Sequence, residues 1–118
     1  MAETYRELAA GFSTADAENP SLDYRNGDLV LCFCNWRDEQ VAVRFPNTIA
    51  FHWQEEAILP DSVRNDQSYE VVRSSWLVDL TDLGAADTRH RHYKLCFNVA
   101  GVLDVVSDLL QVLPDCVP

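Results

Sequence analysis

Cys32 and Cys34, separated only by Phe33, are the first residues in this 118-residue chain whose type and spacing suggest chemistry. In an extended strand, residues two apart point to the same face, so the two thiols would lie side by side. Joined by Cys96 or His52 from another strand, they would make a thiolate-rich metal site geometrically feasible. The spacing argues against it. Structural zinc sites favour turns that wrap the ion between cysteines two to four residues apart, and a redox dithiol needs Cys-x-x-Cys. Free cysteine packs as a small hydrophobe, and Leu29–Trp36 is apolar nearly throughout, so thiols in the core are the expectation. No metal and no other cofactor is expected.

His90-Arg91-His92 is the second constellation. On a strand its two imidazoles share a face, placed to ligate a metal or to titrate together near neutral pH. A hydrolytic relay would also need a nucleophile and a carboxylate, and Ser74 and Asp87 are candidates that no spacing selects. The simpler expectation is a solvent-facing strand start among acids. Carboxylate pairs come third: Glu55 with Glu56, Asp79 with Asp82, and Asp104 with Asp108. The last pair shares a face whether its segment is strand or helix, but proximity in sequence does not make a cleft, and solvated acids are expected. Asp79-Leu80-Thr81-Asp82 lacks the spacing and glycine of a calcium loop. The sequence contains no Gly-x-Gly-x-x-Gly, no Gly-Lys-Ser/Thr, no Gly-x-Ser-x-Gly and no His-Glu-x-x-His. No catalytic residue is assigned, and the reading leans away from an enzyme.

The charge balance narrows the partners. Nineteen acids against nine Lys and Arg leave a net charge of -10. Such a surface repels phosphate backbones and anionic membranes, so neither nucleic acid nor membrane is an expected partner. A basic protein is the macromolecular partner that the field favours. Most of the negative charge lies in residues 1–28 and 54–90, whereas residues 29–53 are balanced. Within the second stretch, Glu55, Glu56, Asp61 and Asp66 share one long loop and are the natural partner-binding candidates. Trp36, Trp53 and Trp76 sit in or at the ends of predicted strands. Core packing is their ordinary role, and they are the candidates for a ligand pocket.

These residues must be positioned by a single domain spanning residues 1–118, too short for two cores. Residues 1–20 read as a lead-in with a short helix on which Tyr5, Leu8 and Phe12 share a face, and residues 21–113 as the β-rich core. Asn26-Gly27 between apolar runs signals a hairpin. Leu29–Trp36 reads as a strand buried on both faces or as a central strand in a packed sheet, and it forms a meander with the alternating Val41–Phe45 and Ile49–Trp53. Gln54–Gln67 is a loop with room for one helical turn near Glu55–Leu59. Ser68–Leu80 has strand composition with a bend at Ser74-Ser75, and Tyr93–Val99 alternates cleanly. Residues 102–112 fit strand or helix, with strand over Val102–Ser107 narrowly preferred, followed by a helical turn before Pro114.

The fold class is therefore α+β, predominantly β: an antiparallel meander-type sheet of six or seven strands with a short N-terminal helix. Whether the sheet is open, a sandwich or a partly closed barrel stays undecided. The N-terminus lacks the apolar stretch of a signal peptide and nothing points to an oxidising compartment, so a cytoplasmic protein with reduced thiols is expected, folding alone or as a small homo-oligomer. The leading functional expectation is a protein-binding module with an acidic face, such as an immunity-type inhibitor or an assembly subunit. The alternatives are a small-molecule binder with a Trp-lined pocket and, behind it, a metal site or enzyme using Cys and His.

Overall fold

The computed structural model of the chain describes residues 3–114, and Cys116 lies outside them. The class is α+β dominated by antiparallel β-structure, arranged as two open sheets. One sheet runs in the order β1 (Thr4–Glu7), β6 (Ser68–Val72), β7 (Arg91–Phe97), β8 (Gly101–Ser107) and β5 (Ala50–Gln54). The other runs β2 (Glu18–Arg25), β3 (Asp28–Cys34), β4 (Gln40–Phe45) and β9 (Gln111–Leu113). Among the described residues the strands number nine rather than six or seven, because the short edge pieces β1 and β9 add to those expected. Among the described residues, no helix is long and apolar enough to cross a membrane.

Local chemistry explains the turns. Asn26 and Gly27 join β2 to β3 with φ of 51° and 87°, the two positive values that a tight hairpin matching strand twist requires. Between β3 and β4, the Asn35 side-chain oxygen accepts the N–H groups of Arg37 and Glu39, each at 2.9 Å. β4 then leaves its sheet at Pro46-Asn47, and β5 pairs with β8 instead of continuing the meander. The buried Thr48 makes this crossing, donating its N–H to Gly27 O and its hydroxyl to Phe45 O, both at 2.7 Å.

Two predicted elements are corrected. The N-terminal segment is a strand, not a helix. Thr4–Glu7 pairs with β6, where a sheet edge satisfies its backbone far better than a short solvated helix would. Ser68–Leu80 is not one strand. β6 stops at Val72, Arg73 turns with φ of 60°, and helix α1 (Ser75–Asp82) begins behind Ser74, whose hydroxyl accepts the Leu77 N–H. Gly84, with φ of 80°, ends that helix by letting Gly84 N–H reach Thr81 O and Ala85 N–H reach Leu80 O. The narrow preference for strand over Val102–Ser107 holds, although β9 replaces the helical turn after it. The loop after β5 contains bends and no helical turn near Glu55–Leu59.

The core lies between the two sheets. Leu29, Leu31, Phe33, Val43 and Phe45 meet Tyr93, Leu95, Phe97, Leu103 and Val105. Phe33 packs edge-on against Phe97 at 5.2 Å, and Phe45 lies 6.0 Å from Tyr93. β3 is buried on this inner face alone, with Cys32 and Cys34 half-buried on its outer face. The strand buried on both faces is β8, at every residue from Gly101 to Ser107. Its first residue must be glycine. At φ of 145°, a Cβ on Gly101 would lie 2.4 Å from Gln54 O and 2.9 Å from the Trp53 ring. Gly101→Ala should lower unfolding free energy by about 3 kcal/mol, from backbone strain together with overpacking. Urea unfolding tests this, and a change below the error of the fit would refute the close approach.

Candidate functional site

The face of the five-stranded sheet turned away from the core is where the chain concentrates its buried polarity. Antiparallel register lines up Glu7, Tyr69, Lys94, Asp104 and His52 across all five strands. The neighbouring row is Tyr5, Val71, His92, Val106 and Ala50. Two elements partly roof this face. The loop after β5 sets Ala57, Leu59 and Val63 against Tyr69, Cys96 and Val102. At the other end, α1 brings the Trp76 ring within 5.0 Å of His52 and edge-on to His92 at 5.2 Å.

Asp104 is the centre of the row and is only 2% exposed. His92 Nε2 lies 2.7 Å from its Oδ1, and Lys94 Nζ lies 3.0 Å from each carboxylate oxygen. Burial pushes the Asp104 carboxyl up, but the His92 hydrogen bond and the Lys94 ammonium outweigh it and hold the group below its ordinary range. The ionised oxygen keeps the His92 proton on Nε2. In the neutral ring Nδ1 then accepts the Ser74 hydroxyl, 2.7 Å away.

Ser74, His92 and Asp104 thus stand in the order of a hydrolytic relay. The serine is not presented as a nucleophile, however. It is 1% exposed, and its oxygen already accepts the Leu77 N–H as the cap of α1. The next backbone N–H, on Ser75, is taken by Glu3 Oε2 at 2.8 Å, so it is not free to stabilise an oxyanion. The arrangement anchors the helix to the sheet and holds a charged floor in place.

Above that floor, between α1 and the loop, lies a pocket of about 300 Å³. Its polar side is His52, His92, Lys94 and Asp104, and its apolar wall is Tyr5, Val71 and Trp76. Ile58 and Pro60 stand at the rim, and Glu3 closes one side while accepting the Tyr5 hydroxyl at 3.2 Å. A second hollow of about 320 Å³, lined by the buried Ser74 together with Leu77, Val78, Thr81 and His90, carries its carboxylates Asp82 and Asp87 on exposed residues.

The other sequence candidates are scattered. Trp76 lines the pocket, whereas Trp53 packs on Phe97 at 5.7 Å and the exposed Trp36 lies under Arg37 on the β3–β4 turn. Glu55 and Glu56 line a separate hollow of about 260 Å³ near the β7–β8 turn. Asp61 is exposed at a turn, and Asp66 pairs with Arg64 at 3.2 Å. Cys32 and Cys34 lie on the outer face of one sheet and Cys96 on that of the other, so they do not converge. Among the described residues no group of three or more His, Cys, Asp or Glu is arranged to hold a metal.

His90 and His92 are both buried rather than solvent-facing, because α1 and the connection after it fold over the start of β7. Asp104 is likewise buried, not a solvated acid. Its signal in the sequence is a lone carboxylate inside Val102-Leu103-Asp104-Val105-Val106, while Lys94, the chain's single lysine, follows the alternation of β7 with nothing local to mark it.

No known protein family matches the chain, and no curated protein or solved structure shows significant similarity to it.

Asp104 titrates lower in the folded protein than in the unfolded chain. Its contribution to stability is therefore complete above the ordinary value of 3.8 and is lost as pH falls through the folded value. Asp104→Asn should cost about 3 kcal/mol at neutral pH, since removing one partner strands His92 and Lys94. The gap from wild type should narrow as unfolding is followed from pH 7 towards pH 3. A gap independent of pH would show that the carboxylate is not held ionised by this network.

Proposed function

We propose that this domain binds a small molecule in the pocket between α1 and the loop after β5. One observation supports the reading above the others: an ion pair and an imidazole are buried in the floor of a concavity whose opposite wall is aromatic. Burying charges costs several kcal/mol per ion before pairing offsets it. Anchoring a short helix uses the His92–Ser74 bond but needs no charge pair beneath it, whereas a few convergent polar groups facing an apolar wall are what small-molecule sites consist of. The domain acts as a binder and not as a hydrolase, since Ser74 is committed to capping the helix. A reducing, cytoplasmic setting, in which Cys34 and Cys96 stay as thiols, fits this reading.

A second reading keeps a basic protein as partner, alone or beside the ligand. It is supported by Ile58, fully exposed in a loop that carries Glu55, Glu56 and Asp61, since an apolar residue ringed by charge resembles an interface anchor.

The test is a fragment screen by ¹H–¹⁵N NMR, run on wild type, Trp76→Ala and a Glu55→Gln/Glu56→Gln variant. The pocket reading expects hits that shift signals of Trp76, Lys94 and His92, weaken at least about tenfold in Trp76→Ala and are unchanged in the double Gln variant, whose side chains line a different hollow. Hits confined to the 55–61 loop and lost in the double Gln variant would favour the second reading. Hits dispersed over the surface would remove the first.

A further inference from the structure

The hydrogen-bonding groups around the pocket are unevenly used, and this imbalance extends the pocket reading, on which it rests, to a class of ligand. The acceptors are largely engaged. Glu3 Oε1 takes the Tyr5 hydroxyl, and Glu3 Oε2 takes the N–H and the hydroxyl of Ser75. Asp104 takes His92 and Lys94. The donors are not. Lys94 carries three N–H groups, and a single carboxylate can accept at most two of them, so at least one is left over on a residue that lines the pocket. His52 is half-exposed, and its Nε2 stands 3.8 Å from Asp104 Oδ2, beyond hydrogen-bond range.

We infer that the pocket takes a small planar molecule presenting an acceptor oxygen, as a carboxamide or a carboxylate, to Lys94 and His52. Its flat apolar part lies against Trp76 and Tyr5. A cationic head is the natural rival, because the whole chain carries a net charge of -10. Hydrogen-bond supply decides between them. Surface carboxylates more than about 8 Å away are screened at physiological salt. The lining itself carries Glu3, Asp104 and Lys94, and both carboxylates already hold protein donors. An amidinium or ammonium there would set its own donors against the unused donor of Lys94.

The trio benzamide, benzoate and benzamidine separates these cases, since the ring and shape are shared and only the head differs. NMR titration of the full chain, read at the Trp76 indole N–H and assigned with Trp76→Phe, gives the three affinities. The inference expects benzamide or benzoate to bind at least about tenfold more tightly than benzamidine, one charge-assisted hydrogen bond being worth that factor. Whichever of the two binds tighter gives the charge state of the head. Lys94→Met should abolish the preference. Because that change also removes a partner from Asp104, His52→Phe at the half-exposed position serves as a second arm and should weaken the preferred ligand with the fold intact. Benzamidine binding tightest at Trp76, or a preference that survives both substitutions, overturns the inference and leaves the pocket reading standing. No response at Trp76 to any of the three overturns both.

Discussion

An ionised carboxylate taken out of water must find partners, and Asp104 sits midway along β8, which is buried on both faces. Everything around it answers that requirement. Lys94 and His92 reach it from β7, directly opposite and two pairs along in the ladder, so the β7–β8 register decides whether the charge is matched. A slip by one residue would turn Asp104 into the inter-sheet core among Leu29, Leu31 and Phe45, where nothing could pair with it. His92 in turn holds Ser74, and Ser74 is the cap that starts α1. The position of the helix, and with it Trp76, follows from a carboxylate in a strand two elements later.

The outer roof is thin in consequence. α1 contains eight residues and none of them is fully buried, too little apolar contact to keep so short a helix folded without its cap and its aromatic anchor. The loop after β5 is held separately, by Ala57, Leu59 and Val63 over Tyr69, Cys96 and Val102. Burial pushes the Cys96 thiol there up to about 11, so it behaves as a packing residue and not as a nucleophile. The pocket is the gap between two covers that are fixed to the sheet by different means, one polar and one apolar.

Much of the fold was legible locally. Asn26-Gly27 marked its hairpin, and the alternation in Val41–Phe45 and Tyr93–Val99 marked strands, because backbone requirements and period-two burial act over a few residues. The errors came where distant partners overrode local preference. Tyr5, Leu8 and Phe12 have helical spacing, yet the free edge of β6 captured Thr4–Glu7 as a strand. Val71, Val72 and Trp76 look like one strand, and only the turn at Arg73 with the Ser74 cap divides them. The site was less legible than the fold. Trp76 was among the pocket candidates, but Lys94 and Asp104 face each other only through a register that no short-range pattern announces. The acidic loop drew attention through charge alone, and its four carboxylates point to no common centre.

We propose that the charge pair of Lys94 and Asp104 serves the pocket, while the tie from His92 through Ser74 to α1 is the part of the row that the fold uses. Removing one charge strands the other, but removing both lifts that constraint, and buried ion pairs replaced together by apolar groups are often neutral or stabilising. The decisive measurement is the chemical-denaturation midpoint of the double variant Lys94→Met/Asp104→Leu, with His92 kept to hold Ser74, against wild type at neutral pH. The account predicts a folded protein whose midpoint is equal or higher. A variant that fails to fold, or that loses about 3 kcal/mol or more, would contradict it and make the charge pair part of the scaffold.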